Sequence, residues 1–404
     1  AIDGMLKSLN DPQSTFFTAQ ELENFLIQTT GSFAGIGVRI VDVGEEVVIF
    51  EIIPGTPAEK AGLFPGDRIS RAAGEDLVGQ GVERAVELLR GPKGTSITIS
   101  VIRPGADEAK EMTLSRDDIR MQTVTSRMLQ PGLGYIKISS FDNHTGEDFT
   151  GQFELLEQEG LHKGLILDLR NNTGGLVDEA IKVAKLLVPA GEITRLVDRS
   201  GQIRNIHYSS APPPSYPIVA LVNEESASAA EIVAGALQDR GAALLVGVKT
   251  YGKATVQHLD QLPGDSALRL TVAKYLTPSG KDIHGYGLQP DYQVELPAAL
   301  KYYRYFLPGR LSQGSYGMEV ELLQSMLKEL GYTVEAEGYF NQETVEALAS
   351  FQEGVGLPAT GIFDDLTWVE LREGLEHIAI SRDPQLQKAI ELTGEADLWR
   401  RQGR

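Results

Sequence analysis

Cysteine is absent from this sequence of 404 residues, and histidine is scarce. Without cysteine the chain can form no disulfide bond, no thiol nucleophile and no cysteine-ligated metal site. The six histidines are scattered, and none belongs to the His-Glu-x-x-His pattern of a zinc peptidase. We therefore expect neither a metal site nor a cofactor.

Positive charge is also in short supply, because 37 Lys and Arg face 56 Asp and Glu, for a net charge of −19. Nucleic-acid binding needs clustered basic residues against the phosphates, so no nucleic-acid partner is expected. No apolar run reaches the roughly 18 residues that indicate a membrane span. The first residue is Ala1 rather than Met, so a removed signal, or a membrane anchor on the full-length form, stays open.

The length predicts about two to four domains, and the sequence changes character along the chain. We place an N-terminal helical segment at residues 1–30, a β-rich domain at 31–115, an α/β core at 116–300 and a C-terminal helical region at 301–404. In the first segment, apolar residues that include Phe16-Phe17 recur at roughly helical spacing.

Residues 31–115 combine short β-rich runs with glycine-containing turns. The segments that carry this pattern are Gly35-Ile36-Gly37-Val38, Pro57–Leu63, Pro65–Ile69 and Gly91–Thr95. Together they resemble a PDZ domain of the bacterial type. Glycines before a strand leave backbone N–H groups free for a chain-terminal carboxylate, and the strand edge can accept an extended peptide. We therefore predict that Gly35, Ile36, Gly37 and Val38 bind the peptide; the plainer alternative is a generic β-rich module.

Residues 116–300 alternate between predicted strands and helices. A short apolar run closed by charges at 164–170 is typical of a fully buried strand, and the segments at 217–222 and 243–247 also favour strands. Helices are predicted between them, including one at 228–238. Strands that alternate with helices indicate a mainly parallel core sheet.

Ser228 lies where a predicted strand gives way to this helix, in a segment of small residues. A serine at a helix start has two interpretations. It can be an N-cap, where serine is strongly preferred, or a nucleophile whose oxyanion is held by N–H groups of the helix N-terminus. Ser226, two residues earlier, is the competing nucleophile.

Lys253 follows a glycine in an otherwise uncharged run, and no Ser/His/Asp set is evident. A neutral lysine amine can act as a base if desolvation lowers its pKa. Bringing that pKa from about 10.4 to near 7 costs about 4–5 kcal/mol, so such a site must be dry. Gln257 lies four residues on and can hold the amine by a hydrogen bond. The alternative is a solvated surface lysine.

Paired glycines follow the buried strand, at Gly174-Gly175. Such a pair permits a turn that points backbone N–H groups into a cleft. Half of an oxyanion hole is one interpretation, with the N–H of Ala229 as the other half. A plain turn from strand to helix is the other interpretation.

Several segments in this order carry a family resemblance: Gly4-Met5-Leu6, Leu9-Asn10-Asp11-Pro12, Asp168-Leu169-Arg170-Asn171-Asn172, Gly174-Gly175, Ser226-Ala227-Ser228-Ala229, Glu231-Ile232, Gly252-Lys253, Gln257, Thr277–Gly280 and Gly287–Asp291. With the PDZ set, they resemble the carboxyl-terminal processing (tail-specific) serine proteases, particularly the CtpB-like members of spore-forming bacteria. The resemblance covers about residues 1–297. Thr173 and Ala230 depart from the family pattern, but neither replaces a catalytic group.

The resemblance implies a multidomain α/β protein, with a PDZ domain inserted before a crotonase/ClpP-like α/β protease core. It implies that Ser228 is the nucleophile, that Lys253 is the general base and that Gln257 orients Lys253. The expected activity is cleavage of proteins near flexible carboxyl-terminal tails, with the PDZ domain binding the terminus and gating the site. An extracytoplasmic location and a role in sporulation signalling are also implied.

Residues 315–375 resemble a small, all-α peptidoglycan-binding module within the C-terminal region. Its apolar positions are mostly core at helical spacing, so the pattern defines the fold better than the ligand. Binding to peptidoglycan and contacts within a homodimer both stay open, and we expect a homodimer. Two other functions also stay open: an inactive PDZ scaffold anchored to the cell wall, and a crotonase-like enzyme that acts on thioesters.

Overall fold

The computed structural model describes residues 2–106, 108–303 and 309–395, which fall into two compact units. The first unit takes its described residues from 2–31, 122–295 and 384–395. The second takes them from 32–121 and 296–383. The chain therefore leaves the first unit and returns to it twice.

The N-terminal third of the chain begins with helices and continues in short strands. Its elements are α1 (Ile2–Lys7), β1 (Thr15–Phe17), α2 (Ala19–Thr30), β2 (Ser32–Gly35), β3 (Val38–Val43), β4 (Glu46–Ile52), α3 (Pro57–Lys60), β5 (Arg68–Ala72), β6 (Glu75–Asp76), α4 (Gly81–Leu89), β7 (Ser96–Ile102), β8 (Lys110–Ser115) and β9 (Asp117–Arg120).

The middle of the chain alternates strands with helices. Its elements are β10 (Val124–Gln130), β11 (Leu133–Ile138), α5 (Thr145–Gln158), β12 (Gly164–Asp168), α6 (Val177–Leu187), β13 (Gly191–Val197), β14 (Ile203–Ser209), β15 (Ile218–Val222), α7 (Ala229–Asp239), β16 (Leu244–Gly247), β17 (Thr255–Leu262), β18 (Ser266–Leu276) and β19 (Tyr292–Gln293). Helices follow to the end: α8 (Ala298–Tyr302), α9 (Met318–Glu329), α10 (Gln342–Gly354), α11 (Asp365–Arg382) and α12 (Pro384–Thr393).

The expectation of a helical segment over residues 1–30 is only partly correct. Thr18 and Glu21 form a capping box at the start of α2, which ends at Gly31 with a φ of 71°. Phe16 and Phe17, however, lie in β1, which pairs antiparallel with β18. The strand partner is about 250 residues away in sequence, and its pairing overrides the local helical spacing.

The first unit is built on a mainly parallel sheet, as the sequence predicts. Its strand order is β10-β11-β12-β15-β16-β19, and only β10 runs antiparallel to its neighbour. Both β12 and β15 are buried at every position, which is the expected state of central parallel strands. A second sheet pairs β18 with β1, β13 and β17, and it carries the segment that follows Lys253.

The two faces of the parallel sheet are covered by different helices. Side chains of α5, α6 and α7 form one core with the first face. On the other face, Leu386, Ala389 and Leu392 of α12 pack on Ile166 and Val219. The α12 helix therefore belongs to the first unit, whereas α8 to α11, which precede it in sequence, belong to the second.

The second unit contains a β-rich part and a helical part, which consists of α8 to α11 among the described residues. In the β-rich part, the sheet order is β3-β4-β5-β7-β8, with β6 beside β5 and its own apolar core. In the helical part, buried Gln324 accepts hydrogen bonds from Glu337 and Gly338 N–H, while buried Gln352 accepts one from Gly361 N–H. Each glutamine thus ties the turn that follows its helix. Within the described ranges, no helix is both long and apolar enough to cross a membrane.

Candidate active site

Two loops at neighbouring strand ends form the framework of the site. Parallel β12 and β15 place Asp168 opposite Leu221, so the loops that leave their carboxyl ends lie side by side. Clefts outside the carboxyl ends of such strands are the usual ligand sites of α/β sheets. The paired glycines follow the first strand, and Ser228 follows the second.

A set of hydrogen bonds joins the two loops. The Asn171 N–H donates to Asn223 Oδ1 at 2.8 Å, and Asn223 Nδ2 donates back to Asn171 Oδ1 at 2.6 Å. The Ala227 N–H donates to the Asn172 carbonyl at 2.9 Å. The glycine loop and the serine loop therefore form one hydrogen-bonded body.

Ser226 is one of these structural ties. Its side chain is buried, and its hydroxyl donates to the Leu169 carbonyl at 2.8 Å while accepting from the Asn223 N–H at 2.9 Å. A nucleophile needs access to substrate, and Ser226 has little. The contacts of Ser226 therefore favour Ser228 of the two candidate serines.

Ser228 takes an unusual backbone conformation at the start of α7. Its φ is 55° and its ψ is −116°, whereas an N-cap serine normally lies in the β region. Its N–H donates to Glu231 Oε2 at 2.9 Å. A non-glycine residue at positive φ costs about 1–3 kcal/mol, and such strain is concentrated at functional sites. The conformation therefore supports a role beyond capping.

The paired glycines approach Ser228 closely. A Cβ at Gly174 would lie 2.7 Å from the Ser228 Cβ and 3.1 Å from the Ala229 nitrogen, so only glycine fits there. The Gly174 N–H donates to Asn172 Oδ1 at 2.9 Å and is therefore occupied. Among the described residues, the N–H groups of Gly175 and Ala229 have no acceptor. Of the three predicted N–H donors, these two are open to an oxyanion.

Phe141 holds the glycine loop from its other side. Its N–H donates to the Gly174 carbonyl at 2.9 Å, and its carbonyl accepts from the Leu176 N–H at 2.7 Å. A Cβ at Gly175 would lie 2.1 Å from that carbonyl oxygen. The loop is therefore pinned between Phe141 and the Ser228 turn.

Lys253 is half-buried just before β17. Burial lowers the pKa of its amine, and the nearby Arg269 guanidinium lowers the pKa further, while Asp11 acts in the opposite direction. The net direction is downward, as a neutral lysine base requires. The structure thus places Lys253 in a desolvated position rather than on an open surface.

Two buried side chains join the backbone of Ser228 to that of Lys253. Glu231 Oε2 accepts from the Ser228 N–H at 2.9 Å and from the Lys253 N–H at 2.8 Å. The Tyr275 hydroxyl lies 3.1 Å from the Ser228 carbonyl and 2.9 Å from the Lys253 carbonyl. Burial raises the pKa of Tyr275 well above its usual value, so its hydroxyl keeps the proton that it donates.

Glu231 also ties the loop before Lys253, since its Oε1 accepts from Thr250 Oγ1 at 2.5 Å and from the Gly252 N–H at 2.8 Å. Sequence reasoning assigned no role to Glu231 or Tyr275. One signal was available for Glu231, because an acidic residue in an alanine-rich buried helix needs several hydrogen-bond donors. No comparable signal marks Tyr275.

Gln257 does not lie on Lys253 as the family pattern implies. Its Nε2 donates to Thr255 Oγ1 at 2.9 Å and to Thr271 Oγ1 at 3.3 Å. Within the described part of the chain, Lys253 forms no side-chain hydrogen bond with Gln257 or with Ser228. The structure therefore links Ser228 and Lys253 through hydrogen bonds to their backbones. Gln257, in β17, is held instead by the hydroxyls of Thr255 and Thr271.

The charged pair at the end of β12 has a structural role. Burial would raise the pKa of Asp168, but the Arg170 guanidinium outweighs it and lowers the pKa to about 2. Arg170 also donates to Gln385 Oε1 at 2.9 Å, and Tyr135 donates to Asp168 at 2.7 Å. The pair therefore fastens α12 to the sheet beneath the loops.

The predicted peptide-binding residues lie in the second unit. Ile36 is buried in its core, and a Cβ at Gly37, whose φ is 89°, would lie 2.3 Å from the Thr56 Cβ. Gly35 ends β2, and Val38 begins β3. Because β3 is the end strand of its sheet, one edge of it is open to an added peptide strand.

Comparison with known proteins gives matches to three family models. Peptidase family S41 matches residues 132–294, the PDZ domain matches 48–103 and the putative peptidoglycan binding domain matches 316–371. A putative S41 protease from Bacteroides fragilis NCTC 9343 has a similar fold, with a TM-score of 0.50 and 20% identity over 74% of this chain and 83% of that one.

Two curated relatives come from Bacillus subtilis (strain 168). Carboxy-terminal processing protease CtpA is 36% identical over 392 residues, which are 97% of this chain and 84% of that protein. Carboxy-terminal processing protease CtpB is 32% identical over 398 residues, which are 97% of this chain and 83% of that protein. The expected fold class, a PDZ domain before an α/β protease core with a helical C-terminal region, is confirmed. The chain belongs to peptidase family S41, as a member of the carboxy-terminal processing serine proteases.

Proposed function

We propose that this chain is a serine endopeptidase that cleaves protein substrates near their carboxyl-terminal tails, with Ser228 as nucleophile and Lys253 as general base. The observation that carries the proposal is the double link between these residues. Glu231 accepts from both of their N–H groups, and Tyr275 contacts both of their carbonyls. Such buried links give the two segments one fixed geometry, which nucleophilic catalysis requires.

In the proposed reaction, Ser228 Oγ forms a bond to the carbonyl carbon of the scissile peptide as the neutral Lys253 amine takes its proton. The N–H groups of Gly175 and Ala229 stabilise the oxyanion, and Gly174 allows the close approach. Lys253 then returns the proton to the leaving amine as the C–N bond breaks. In the second half, Lys253 takes a proton from water as the water oxygen bonds to the acyl carbon. Lys253 then returns that proton to Ser228 Oγ as the ester C–O bond breaks, which releases the acid and restores both residues.

The PDZ domain is proposed to bind the free carboxyl end of a flexible tail. Residues 35–38 supply the backbone groups before β3, and the open edge of β3 can pair with an extended peptide. Binding there would deliver an unfolded tail and gate the Ser228 site. Proteins with flexible carboxyl-terminal tails are therefore the proposed substrates.

The setting of the enzyme is likewise a proposal. The peptidoglycan-binding match and the Ctp relatives support an extracytoplasmic location, with peptidoglycan as a partner. The resemblance to CtpB supports regulatory proteolysis in sporulation signalling, and a homodimer is expected. The domain limits 1–30, 31–115, 116–300 and 301–404 stay a proposal for the order of the domains, with α12 of the last range packing in the first unit.

Digestion of a fluorescently labelled casein tests the activity, with fragments read by mass spectrometry. We expect internal cuts by the intact chain, none by Ser228→Ala or Lys253→Ala, and retained cutting by a Ser226→Ala variant that still folds. Cutting by Ser228→Ala at the rate of the intact chain would contradict the assignment.

The second candidate is an inactive PDZ scaffold at the cell wall, and the peptidoglycan-binding match is the observation that favours it. That function predicts sedimentation with purified peptidoglycan and no casein cleavage by any variant. Cleavage that depends on Ser228 would rule it out.

A further inference from the structure

The turn between α1 and β1 packs on the strand that contacts Gln257. In this turn Ser14 Oγ donates to Asp11 Oδ2 at 2.5 Å, and the Gln13 N–H donates to Asp11 Oδ1 at 3.0 Å. The Thr271 N–H of β18 donates to Ser14 Oγ at 3.1 Å. Burial raises the pKa of Asp11, but hydrogen bonds from Ser14 and Thr271 outweigh it and keep the carboxylate charged.

Thr271 connects this turn to Gln257. Gln257 Nε2 donates one hydrogen to Thr271 Oγ1 and the other to Thr255 Oγ1, so both amide hydrogens are used. Within the described ranges, Gln257 Oε1 accepts no hydrogen bond. The two threonines therefore fix the orientation of the amide and leave its oxygen as the free end, which can accept from an amine.

A β-bulge lies at the same place. Val256 pairs with Ala273 and Gln257 with Thr271, so Val272 has no partner in β17. Bulges re-aim side chains and are frequent beside active sites. The irregular strand thus brings the Thr271 hydroxyl under the Gln257 amide, and the Ser14 hydroxyl takes the Thr271 N–H there.

The N-terminal segment also contains or contacts the two charged side chains that shift the pKa of Lys253. The Arg269 guanidinium lies 5.1 Å from the Phe17 ring centre, and its Nε donates to the Gln13 carbonyl at 3.1 Å. Asp11 in the turn and Arg269 in β18 act on the Lys253 amine with opposite signs, and Glu231 contacts its backbone N–H. The N-terminal segment therefore fixes the positions of both the Asp11 carboxylate and the Arg269 guanidinium.

We propose that the Asp11–Ser14 turn is a positioning element of the site, which acts through Thr271 to hold Gln257 with its carbonyl oxygen free for Lys253. The inference rests on the proposed function, since it needs Lys253 as the base. It gives Asp11, within the segment Leu9-Asn10-Asp11-Pro12, an indirect role in catalysis. Asp11 and Thr271 touch no reacting atom and are positioning residues, not catalytic ones.

Thr271→Val tests the link with little change of shape. Asp11→Asn removes the charge and also replaces one of the two acceptor oxygens of Asp11 by an NH2 group. The matched control is Asp260→Asn, an exposed β17 carboxylate that pairs with His258 at 3.4 Å. Initial rates on labelled casein are measured against casein concentration, with thermal melting as a check on folding. Thr271→Val and Asp11→Asn should each lower kcat by about 10- to 100-fold with little change in KM. Asp260→Asn should keep the rate of the intact chain.

The pH profile separates positioning from a merely structural effect. The rate rises with pH as Lys253 loses its proton, and Asp11 raises the pKa of that amine. Asp11→Asn should therefore move this rise to lower pH, while Thr271→Val should lower the plateau and leave the position of the rise unchanged. A merely structural loss would lower the plateau equally in both variants and move neither rise.

The outcomes distinguish the two proposals. Unchanged plateaus and unchanged pH profiles in both variants would overturn the positioning role, even if Ser228→Ala remains inactive. Full activity of Ser228→Ala would instead overturn the proposed function. If the intact chain cuts no casein, a 13C-methyl-lysine NMR titration decides, with the Lys253 signal assigned from Lys253→Ala. An unchanged pKa of Lys253 in Asp11→Asn then overturns the role, and a lowered pKa supports it.

Discussion

Replacing Glu231 is the sharpest perturbation of the link between Ser228 and Lys253. Its Oε2 accepts from the N–H groups of Ser228 and Lys253, and its Oε1 accepts from Gly252 N–H and Thr250 Oγ1. A glutamine has one acceptor oxygen and one donor group in place of the two oxygens. Its NH2 must therefore face one of the two donor pairs.

The two pairs differ in how well they tolerate an NH2 group. On the Oε2 side it would meet two backbone N–H groups, which cannot turn away. On the Oε1 side the Thr250 hydroxyl can rotate and accept, so the Gly252 N–H is the backbone donor that loses its partner, and the Thr250 O–H must turn to another acceptor. Glu231→Gln should therefore adopt the second orientation, at the cost of at least the one buried N–H group of Gly252, or about 1–3 kcal/mol of unfolding free energy.

Glu231→Ala leaves all the donors without an acceptor. The N–H groups of Ser228, Gly252 and Lys253 together cost roughly 3–9 kcal/mol at about 1–3 kcal/mol each. That is comparable to the whole stability of a typical domain, about 5–15 kcal/mol. We therefore expect Glu231→Ala to lose local order in residues 250–253 before the rest of the fold.

Urea unfolding followed by circular dichroism measures the stability of both variants, and hydrogen exchange follows the amides of Gly252 and Lys253. The matched control is Glu179→Gln, because Glu179 is a buried carboxylate on α6 that accepts from the Gly146 N–H at 2.9 Å and pairs with Lys182 at 2.7 Å. It should lose stability yet keep casein cutting. If Glu231→Ala matches the intact chain in stability, exchange and cutting, the bridging argument is refuted.

Three further predictions concern the same site. Tyr275→Phe removes the one hydroxyl that contacts the carbonyls of Ser228 and Lys253. It should lower the free energy of unfolding by about 1 kcal/mol in urea and slow casein cutting, and an unchanged rate would show that this contact has no role in catalysis. Gly174→Ala places a Cβ 2.7 Å from the Ser228 Cβ at a φ of 102°, so casein assays should show little activity in a protein that still folds, and normal cutting would contradict the close approach. Arg269 lowers the pKa of Lys253, so Arg269→Gln should move the rise of rate with pH to higher pH, while Arg269→Lys should hold it near its original position; equal profiles for both would argue against the charge effect.

Local patterns were sufficient to predict several parts of the molecule. The apolar run at 164–170 and the alternation of strands and helices predicted a buried parallel sheet, and β12 is buried throughout. The small residues before α7 identified the turn that carries Ser228. The glycine and proline turns over 31–115 predicted the PDZ domain that its family model matches. Each of these signals is composed of short segments, within which residue spacing and turn chemistry act directly.

Other features depend on partners that sequence spacing cannot reveal. Phe16 and Phe17 form a strand because β18 is there to pair with them. The sequence makes Gly174 a plausible oxyanion donor, but in the structure its N–H donates to Asn172 Oδ1. Gln257 was expected on Lys253 but is held by Thr255 and Thr271.

The sequence by itself thus determined the class of fold, the order of the domains and the candidate residues Ser228 and Lys253. Only the tertiary structure decided how those residues are held, because the hydrogen bonds that hold them come from far along the chain. The Tyr275 hydroxyl contacts the Ser228 carbonyl, and Ser14 Oγ accepts from the Thr271 N–H. A buried donor must find an acceptor somewhere in the folded chain, and only the packed fold shows where.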